Sequence, residues 1–476
     1  MRAAAINEGP AQSLAAAGIG GNGGTAGVPR LLPLVPGVPE DLRTHLARRG
    51  RLPLGPPGQR GGLNLIEAVE RAGLTGRGGA AFPVHRKLGI LARARGRKVI
   101  VANGAESEPA SGKDALLLRV APNLVLDGLQ LAAEAVGASE AHLYLHRGAA
   151  PDIRAVLHER AAAGLDRIGV KLTEAPPRFV AGQESALVNR LGGGPAVPTF
   201  VPPRVSERGL GGAPTLVQNV ETLAHLALIA RYGPRWFRSV GTAAEPGSML
   251  TTVHTRDGSK IIEAEIGAPL RTLIPAGTNP QAVLIGGFHG TWLPAAGAAT
   301  LTLDNQALNR HGAALGAGVI AALPAGRCGL AESARVARYL AAESAGQCGP
   351  CLNGLPRMAA ALAELAQPLG AGSLGAGHGH RRPAGQVRAD LERWAGLVTG
   401  RGACGHPDGT ARFVRSTLTV FAAEITLHAA GQCSAARDGA TRDGAARDGA
   451  ARDGATSHQP FLPLPSGVPT TEDDWI

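Results

Sequence analysis

Three cysteines in the last third of the chain have the spacing of iron–sulfur cluster ligands. Cys348 and Cys351 form a CxxC pair, and Cys404 lies further along the chain. Clusters are commonly held by a C-x₂-C-x₂-C run and a distant fourth cysteine. Ala345 stands at the first position of that run, so three of the four ligands are present. Three histidines are candidates for the fourth: His378, His380 and His406.

Three thiolates leave the cluster's state open. They can hold a three-iron cluster, or a four-iron cluster with one open or non-cysteine site. The other interpretation is that the cluster has been lost. Cys328 and Cys433 lie outside any recognisable motif, and either could supply the missing ligand only if its segment folds back.

A glycine-rich segment, Gly73 to Pro83, could bind an anion. Its glycines let backbone N–H groups converge, and Arg77 can form paired hydrogen bonds to a phosphate. A second polar segment, Asn103 to Pro109, directly follows a predicted buried strand over Val99–Ala102. In open α/β sheets, ligands bind at this carboxyl end of the strands.

Alternating strands and helices must position these segments. Between about Leu63 and Trp236, short apolar strands alternate with amphipathic helices, which predicts a layered α/β domain with a mostly parallel sheet. Three short strands follow between residues 248 and 300, and the chain then becomes helical from Gly329. The tail holds four copies of an Arg-Asp-Gly-Ala unit, five residues apart, which cannot form a core.

Composition excludes several classes of protein. Five cysteines in 476 residues do not form a disulfide framework. The net charge of +11 comes from scattered arginines, so nucleic acid is not an expected partner. We expect a cytoplasmic protein without a membrane span, because no apolar run reaches about 18 residues.

Five segments together resemble the NADH-oxidising flavoprotein subunit of respiratory complex I. The same family includes flavin subunits of NAD-linked hydrogenases and formate dehydrogenases. In order, the segments read GRGGAAFP from Gly76, NGAESEP from Asn103, FVAGQESAL from Phe179, QNVETL from Gln218 and ESAGQCGPC from Glu343. The resemblance covers about residues 63–430.

The resemblance implies a Rossmann-like FMN domain, a small β-grasp-like module and a helical bundle that holds an iron–sulfur cluster. It implies hydride transfer from NADH or NADPH to FMN, and single-electron exit through a 4Fe–4S or 3Fe–4S cluster held by the three cysteines. Glu108 and Glu184 match acids near the flavin and the nucleotide and are the predicted catalytic residues. The predicted cofactor-binding residues are Arg77, Gly78, Gly79, Ala80, Phe82, Lys87, Asn103, Glu106, Gln218 and Asn219.

The sequence departs from the family pattern at the nucleotide site as well as at the cluster. Ala81 replaces the last glycine of the loop, which is a modest change if its φ is negative. Ala105 replaces an aspartate, Ile90 an adenine-stacking aromatic residue and Val201 a lysine. Phe179 and Gln183 replace a tyrosine and a glutamate. We expect FMN binding to be preserved and NADH binding to be weakened.

These observations predict an FMN-dependent oxidoreductase that passes electrons to a small partner protein, a ferredoxin or a reductase subunit. Association with a membrane redox protein is compatible with this prediction. The alternative is a non-catalytic scaffold or assembly subunit without a cluster. The predicted divisions are a flexible head (1–60), an FMN domain (61–245), a β-grasp-like module (246–305), a helical iron–sulfur domain (306–430) and a disordered tail (431–476).

Overall fold

The computed structural model describes residues 29–54, 62–369, 382–435, 460–465 and 472–475. They form two β-sheets and a C-terminal bundle of helices. The strands are β1 Val99–Gly104, β2 Glu140–Leu145, β3 Val170–Glu174, β4 Thr215–Asn219, β5 Ser248–Thr255, β6 Gly258–Glu265, β7 Pro280–Ile285, β8 Thr291–Pro294 and β9 Val319–Pro324. The helices are α1 Leu42–Arg49, α2 Gly62–Ala72, α3 Val84–Arg93, α4 Lys113–Val120, α5 Pro122–Val136, α6 Ala150–Ala162, α7 Glu184–Leu191, α8 Val220–Phe237, α9 Leu270–Leu273, α10 Ala295–Ala298, α11 Asn305–Asn309, α12 Gly329–Ala342, α13 Leu355–Leu365, α14 Ala384–Val398, α15 His406–Val420 and α16 Ala422–Ala429.

The first sheet is parallel, with strand order β3-β2-β1-β4. From β1 the chain adds β2 and β3 on one side and later returns to place β4 on the other side. The strand order therefore reverses between β1 and β4, which is where open α/β sheets bind ligands. The predicted layered α/β fold is confirmed.

Helices α5 and α8 pack against this sheet and carry much of its core. All but one residue of α5 is buried. At Gly128 the two helices approach so closely that a Cβ atom would overlap the carbonyl group of Leu223 in α8. This close packing fixes the amino end of α8, and that end borders the candidate site.

The second sheet is mixed, with strand order β6-β5-β9-β7-β8. β9 pairs in parallel with β5 and antiparallel with β7, so it is the central strand. The predicted module boundary at residue 305 is therefore wrong, because the module's central strand lies inside the range predicted to be helical. A continuous apolar run such as Val319–Leu323 does not distinguish a buried strand from a helix by its periodicity.

Helices α12 to α16 form the C-terminal bundle around a core that includes Leu340, Met358, Leu391 and Phe413. Pro350–Gly354 forms a π-helical turn immediately before α13. Taken singly, no helix in the described ranges is long and apolar enough to cross a membrane. α4 and α5 would suffice only as a pair, and they are bent by 96° to each other.

Parts of the predicted flexible head and disordered tail are packed against the folded domains. The backbone amides of Arg30 and Leu31 donate to Glu263 at 2.9 Å each, and Leu31 is completely buried. In the tail, the Leu462 side chain is also completely buried. Low sequence complexity predicted disorder for both regions, but buried apolar residues and hydrogen bonds to the folded domains anchor the described parts. The repeats at 436–455 lie outside the described residues.

Candidate functional site: a polar cleft at the strand ends and a cysteine cluster in the bundle

A polar cleft opens at the carboxyl ends of β1 and β4. Asn103 and Asn219 are register partners in the last pair of these strands, so both amides lie at the same edge of the sheet. The cleft is lined by Arg77, Gly78, Asn103, Glu106, Ser107, Glu108, Ser111, Lys113, Asp114, Gly182, Asn219 and Ala317. Three separate polar segments of the sequence, represented by Arg77, Asn103 and Asn219, therefore meet at the point where the strand order reverses.

Two glycines keep this cleft open for a flat ligand. A Cβ atom at Gly78 would lie 3.3 Å from the Cβ of Asn219, and one at Gly182 would lie 2.7 Å from the Ser107 hydroxyl. Beside the cleft, Gln218 is buried, and its Nε2 has no hydrogen-bond partner among the described residues. A buried unpaired donor and a glycine-lined cradle fit FMN, which presents carbonyl and phosphate oxygens.

Arg77 is held by protein groups on several sides. Its backbone amide donates to the Thr222 hydroxyl at 2.9 Å, and its Nη1 donates to the Thr75 hydroxyl at 2.9 Å. The Nε of Arg77 has no partner within the described part of the chain. Burial lowers the pKa of Arg77, and an anionic ligand would compensate for the cost of burying this cation.

Lys113 forms a buried ion-pair network on the floor of the cleft. Its Nζ lies 2.6 Å from Asp114 Oδ1 and 2.9 Å from Glu221 Oε2. Burial opposes charge on Lys113, but the two carboxylates outweigh it and raise the pKa of the amine. Burial likewise opposes charge on Glu221, but Lys113 lowers its pKa to about 2. One lysine cannot neutralise both acids, and burial raises the pKa of Asp114 to about 7.

Glu106 and Glu108 lie in the cleft, and backbone amides hold both carboxylates. Glu106 accepts from the amides of Asp114 and Ala115 at 2.9 and 2.8 Å, so it caps α4. Glu108 accepts from the Ala110 amide at 3.1 Å and from the Phe288 amide at 2.8 Å. Phe288 lies between β7 and β8, in the second domain, which is the part of the chain built on the second sheet. Burial raises the pKa of Glu108 to about 7.

Glu184 and Lys87 form a second, more exposed pair outside this lining. Lys87 Nζ lies 3.3 Å from Glu184 Oε1, and the side chains are 32% and 39% exposed. The predicted nucleotide-facing residues Phe82 and Ile90 are 39% and 42% exposed. This rim therefore keeps both apolar and charged groups accessible to a ligand.

The three cysteines come together at the end of α12. Cys351 is buried in the π-helical turn, and Cys348 and Cys404 are half-buried. The three thiols interact electrostatically, and the Ser344 hydroxyl hydrogen-bonds to Cys351. Burial raises the pKa of Cys351 to about 12, so a bound cation would be needed to stabilise its thiolate. The donor set fits an iron–sulfur cluster with three cysteine ligands.

His406 is not available as a fourth ligand in this arrangement. Its Nε2 lies 2.8 Å from the Leu340 carbonyl and its Nδ1 lies 3.0 Å from His289 Nε2. Because Nε2 must donate to the carbonyl, Nδ1 accepts from His289 and both nitrogens are used. Burial lowers the pKa of His406 to about 4. The candidates His378 and His380 lie outside the described residues.

Comparisons with known proteins assign both sites to one family. The model of the Nuo51 FMN-binding domain matches residues 69–228, and that of the NADH-ubiquinone oxidoreductase-F iron–sulfur binding region matches residues 331–428. The F subunit of NADH-quinone oxidoreductase from Rickettsia bellii is 32% identical over 316 residues, which are 61% of this chain and 75% of the relative. The chain belongs to the family of NADH-quinone oxidoreductase F subunits.

Two further similarities support this assignment. The NADH-quinone oxidoreductase F subunit of Streptomyces coelicolor is 30% identical over 78% of this chain and 84% of its own length. The crystal structure of an NAD⁺-reducing [NiFe]-hydrogenase in the H₂-reduced state has a TM-score of 0.68 and 28% identity. That similarity covers 82% of this chain and 67% of the hydrogenase chain. The family resemblance expected from the sequence motifs is confirmed.

Among the residues predicted for the flavin site of this oxidoreductase family, the cleft lining includes six. They are Arg77, Gly78, Asn103, Glu106, Glu108 and Asn219. Gly79, Ala80, Phe82, Lys87, Glu184 and Gln218 are not part of that lining. Sequence reasoning missed Lys113, Asp114 and Glu221. The adjacent lysine and aspartate open a helix directly after the NGAESEP segment, and that position was the available signal.

The prediction that Ala81 is a modest replacement rested on a negative φ, and that condition is not met. Ala81 has a φ of 49°, in the left-handed region that costs a non-glycine residue about 1–2 kcal/mol. The glycine loop of this oxidoreductase chain is therefore strained at a position where the family motif has glycine.

Proposed function

We propose that this chain is the electron-input subunit of a redox complex. It would bind FMN in the cleft at β1 and β4 and an iron–sulfur cluster at Cys348, Cys351 and Cys404. When bound, FMN would supply the capacity to take a hydride from NADH or NADPH and to release single electrons, and the cluster would supply onward electron transfer. The observation that carries the proposal is the convergence of three polar segments at the switch point of a parallel sheet.

The residues of the cleft would have distinct roles. Gly78 and Gly182 allow the flavin to approach the backbone, and Asn103 and Asn219 present amide groups at the strand ends. Lys113 would lie on the floor of the occupied cleft, with its charge balanced by Asp114 and Glu221. Glu108 would fix the turn of the second domain against the cleft and, with its raised pKa, could hold a proton there.

The rim would receive the nicotinamide nucleotide. Glu184 stands at the first turn of α7, where Lys87 holds its carboxylate. The exposed side chains of Phe82 and Ile90 offer an apolar surface, although an aliphatic side chain gives less stacking than an aromatic one. We therefore propose a weaker affinity for NADH than in a chain with an aromatic residue at the position of Ile90.

The acceptor would be a small ferredoxin or reductase subunit that docks near the cysteine cluster. The relatives are named as subunits of larger oxidoreductases, which supports a partner redox protein. The non-catalytic alternative is less well supported, because the flavin cleft and the three thiols are both assembled in one chain. A scaffold would require neither.

The proposal is tested by anaerobic purification followed by assays of FMN, iron and sulfide, with absorption spectra before and after NADH. We expect about one FMN and three to four irons per chain, and bleaching of the flavin band by NADH. Flavin that neither NADH nor NADPH reduces would overturn the catalytic proposal. Iron at background level would overturn the cluster assignment.

A matched pair of variants assigns the flavin to the cleft. Gly78→Val places a branched side chain against Asn219, so it should reduce FMN content at least about tenfold while iron content stays constant. Gly169→Val is the control, because a Cβ at that exposed position meets nothing within 4 Å. Equal FMN contents in the two variants would contradict this location.

A further inference from the structure

A second group of metal-binding side chains lies at the other end of the helical bundle from the predicted cluster. Its members are Cys328, Glu424, His428 and Cys433, and their ligand atoms all lie within 4.8 Å of one another. Cys328 precedes the first residue of α12, whereas Ala345 follows the last. The 14 residues of α12 span about 21 Å, so this group cannot supply the missing cluster ligand.

The distances between these donor atoms match a tetrahedral site. Cys328 Sγ lies 3.5 Å from His428 Nε2 and 4.0 Å from Glu424 Oε1. The distance between His428 Nε2 and Glu424 Oε1 is 3.1 Å. Ordinary zinc–ligand bonds at tetrahedral angles give donor separations of about 3.3 Å between nitrogen and oxygen and about 3.5 Å between either of these atoms and sulfur. Shifts of a few tenths of an ångström would therefore bring these three donors onto one Zn²⁺ ion.

The surroundings of His428 prepare its ring for metal binding. Its Nδ1 lies 2.9 Å from the Leu365 carbonyl oxygen, which can only accept, so Nδ1 carries the proton. A cation that displaced the Nε2 proton would meet the lone pair of this nitrogen, which faces the thiol at 3.5 Å and the carboxylate at 3.1 Å. A ligating histidine typically donates its other N–H to a carbonyl or carboxylate in this way.

Three chain segments bring the four donors together. Glu424 and His428 are one turn apart on α16 and share a face, and Cys433 follows the end of that helix. Glu424 also accepts from the Ser434 amide at 3.0 Å, which holds the segment after α16 in place. The exposed fractions of Glu424 and His428 are 7% and 1%, so the donors are withdrawn from solvent.

We propose that Cys328, Glu424, His428 and Cys433 form a structural site for a thiophilic divalent cation, with Zn²⁺ the best match. Two thiolates, an imidazole and a carboxylate complete a tetrahedral set and leave no position for substrate, as in closed structural sites. The ion would fasten the end of α16 to the start of α12. The tail returns to the same helix, because the Phe461 amide donates to Glu332 at 3.1 Å.

The nearest competing explanation is a disulfide between Cys328 and Cys433. A disulfide would use neither the lone pair of His428 nor the buried carboxylate of Glu424, whereas a cation uses all four donors. The geometry therefore favours the metal. Mass spectrometry without reductant distinguishes the two, because a disulfide lowers the chain mass by two protons and two electrons.

The test uses the full chain, purified anaerobically and supplied with Zn²⁺. Metal analysis should find about one zinc per chain, and X-ray absorption at the zinc edge should show two sulfur and two nitrogen or oxygen ligands. Cys433→Ser should weaken zinc affinity by about 100-fold or more in a chelator competition. Glu424→Gln, which preserves the shape of the side chain, should weaken it as well.

Cys348→Ser is the matched control, since it should lose iron and keep zinc. Zinc loss in Cys348→Ser, a zinc spectrum without sulfur ligands, or a Cys328–Cys433 disulfide in the zinc-supplied protein would overturn the proposal. If Cys433→Ser does not fold, the wild-type melting temperature decides. It should rise with Zn²⁺, and an unchanged value would contradict a structural site.

Discussion

The ion pair between Lys113 and Glu221 provides the sharpest test of the site's energetics. Both side chains are buried, with exposed fractions of 3% and 0%. Glu221→Gln keeps the size of the side chain but removes its charge and turns an amide group towards the ammonium group. Breaking a buried ion pair from one side costs about 3–5 kcal/mol.

The lowered pKa of Glu221 points to a stabilising pair as well. Burial alone would raise this pKa, but Lys113 and His225 lower it from 4.5 to about 2. One pKa unit corresponds to about 1.36 kcal/mol, so the pairing stabilises the fold by about 3 kcal/mol. The two values agree, and we expect Glu221→Gln to lose about 3 kcal/mol of unfolding free energy at pH 7.

The sign of the pH dependence follows from the lowered pKa. The stabilisation is complete above about pH 4.5 and is lost as the pH falls towards 2, because the unfolded chain binds the proton first. The difference in unfolding free energy between wild type and Glu221→Gln should therefore become smaller below about pH 4.5.

Urea denaturation measures the loss of unfolding free energy at pH 7 and its dependence on pH, and a matched variant serves as the control. Glu392→Gln makes the same chemical change in an exposed pair with Arg388, where the side chains are 54% and 43% exposed. Such exposed pairs contribute about 0.5 kcal/mol or less. If Glu221→Gln and Glu392→Gln lose the same free energy, the assignment of Lys113 as a buried, paired cation is refuted.

Three further predictions concern packing, the cluster and the strained loop. Gly128→Ala forces α5 away from Leu223, so it should cost about 2–3 kcal/mol in urea denaturation. The control is Gly396→Ala, whose Cβ meets nothing closer than 3.9 Å; it should raise the unfolding free energy by about 0.5–1 kcal/mol. If the two variants changed the unfolding free energy by similar amounts, the close packing of α5 and α8 would be contradicted. Ala345→Cys supplies a fourth thiolate, so the variant should hold about four irons per chain and show the paramagnetic spectrum of a reduced four-iron cluster bound by four cysteines; a spectrum unchanged from wild type would exclude Ala345 from the cluster. Ala81→Gly relieves the positive φ and should raise the melting temperature by an amount equivalent to about 1 kcal/mol, whereas a lower temperature would argue against strain.

The sequence indicated where polar groups gather because its motifs coincide with strand ends, whereas the binding of a flavin there stays a prediction. Asn103 and Asn219 each lie at the end of a strand, and parallel pairing then brings them to one edge. Lys113 was missed because nothing local distinguishes a buried lysine from an exposed one at the start of a helix. Its burial depends on Glu221, which is distant in the sequence and becomes a neighbour only after folding.

Elsewhere in the chain, too, features were missed where the local sequence carries no signal for them. β9 was missed because a run of five apolar residues has no period that separates strand from helix. The grouping of Cys328 with His428 was missed because metal-site patterns depend on short spacings, and here the donors are about a hundred residues apart in the sequence. The burial of Leu462 could not be predicted from composition, because one apolar side chain hardly changes the mean hydropathy of a polar tail.

Glu108 has a consequence for how this protein can be divided. Its carboxylate lies in the cleft that we propose for the flavin, yet one of its hydrogen-bond donors, the Phe288 amide, belongs to the second domain. The Leu250 amide likewise donates to Glu221 at 2.8 Å. A shortened chain that ended at residue 245 would leave the half-buried Glu108 and the buried Glu221 without these donors. The domain with the first sheet therefore depends on the second sheet for its stability. If a substitution in the second sheet caused loss of the cofactor, the cause would be the loss of these hydrogen bonds between the domains, and not damage to a residue that binds the cofactor.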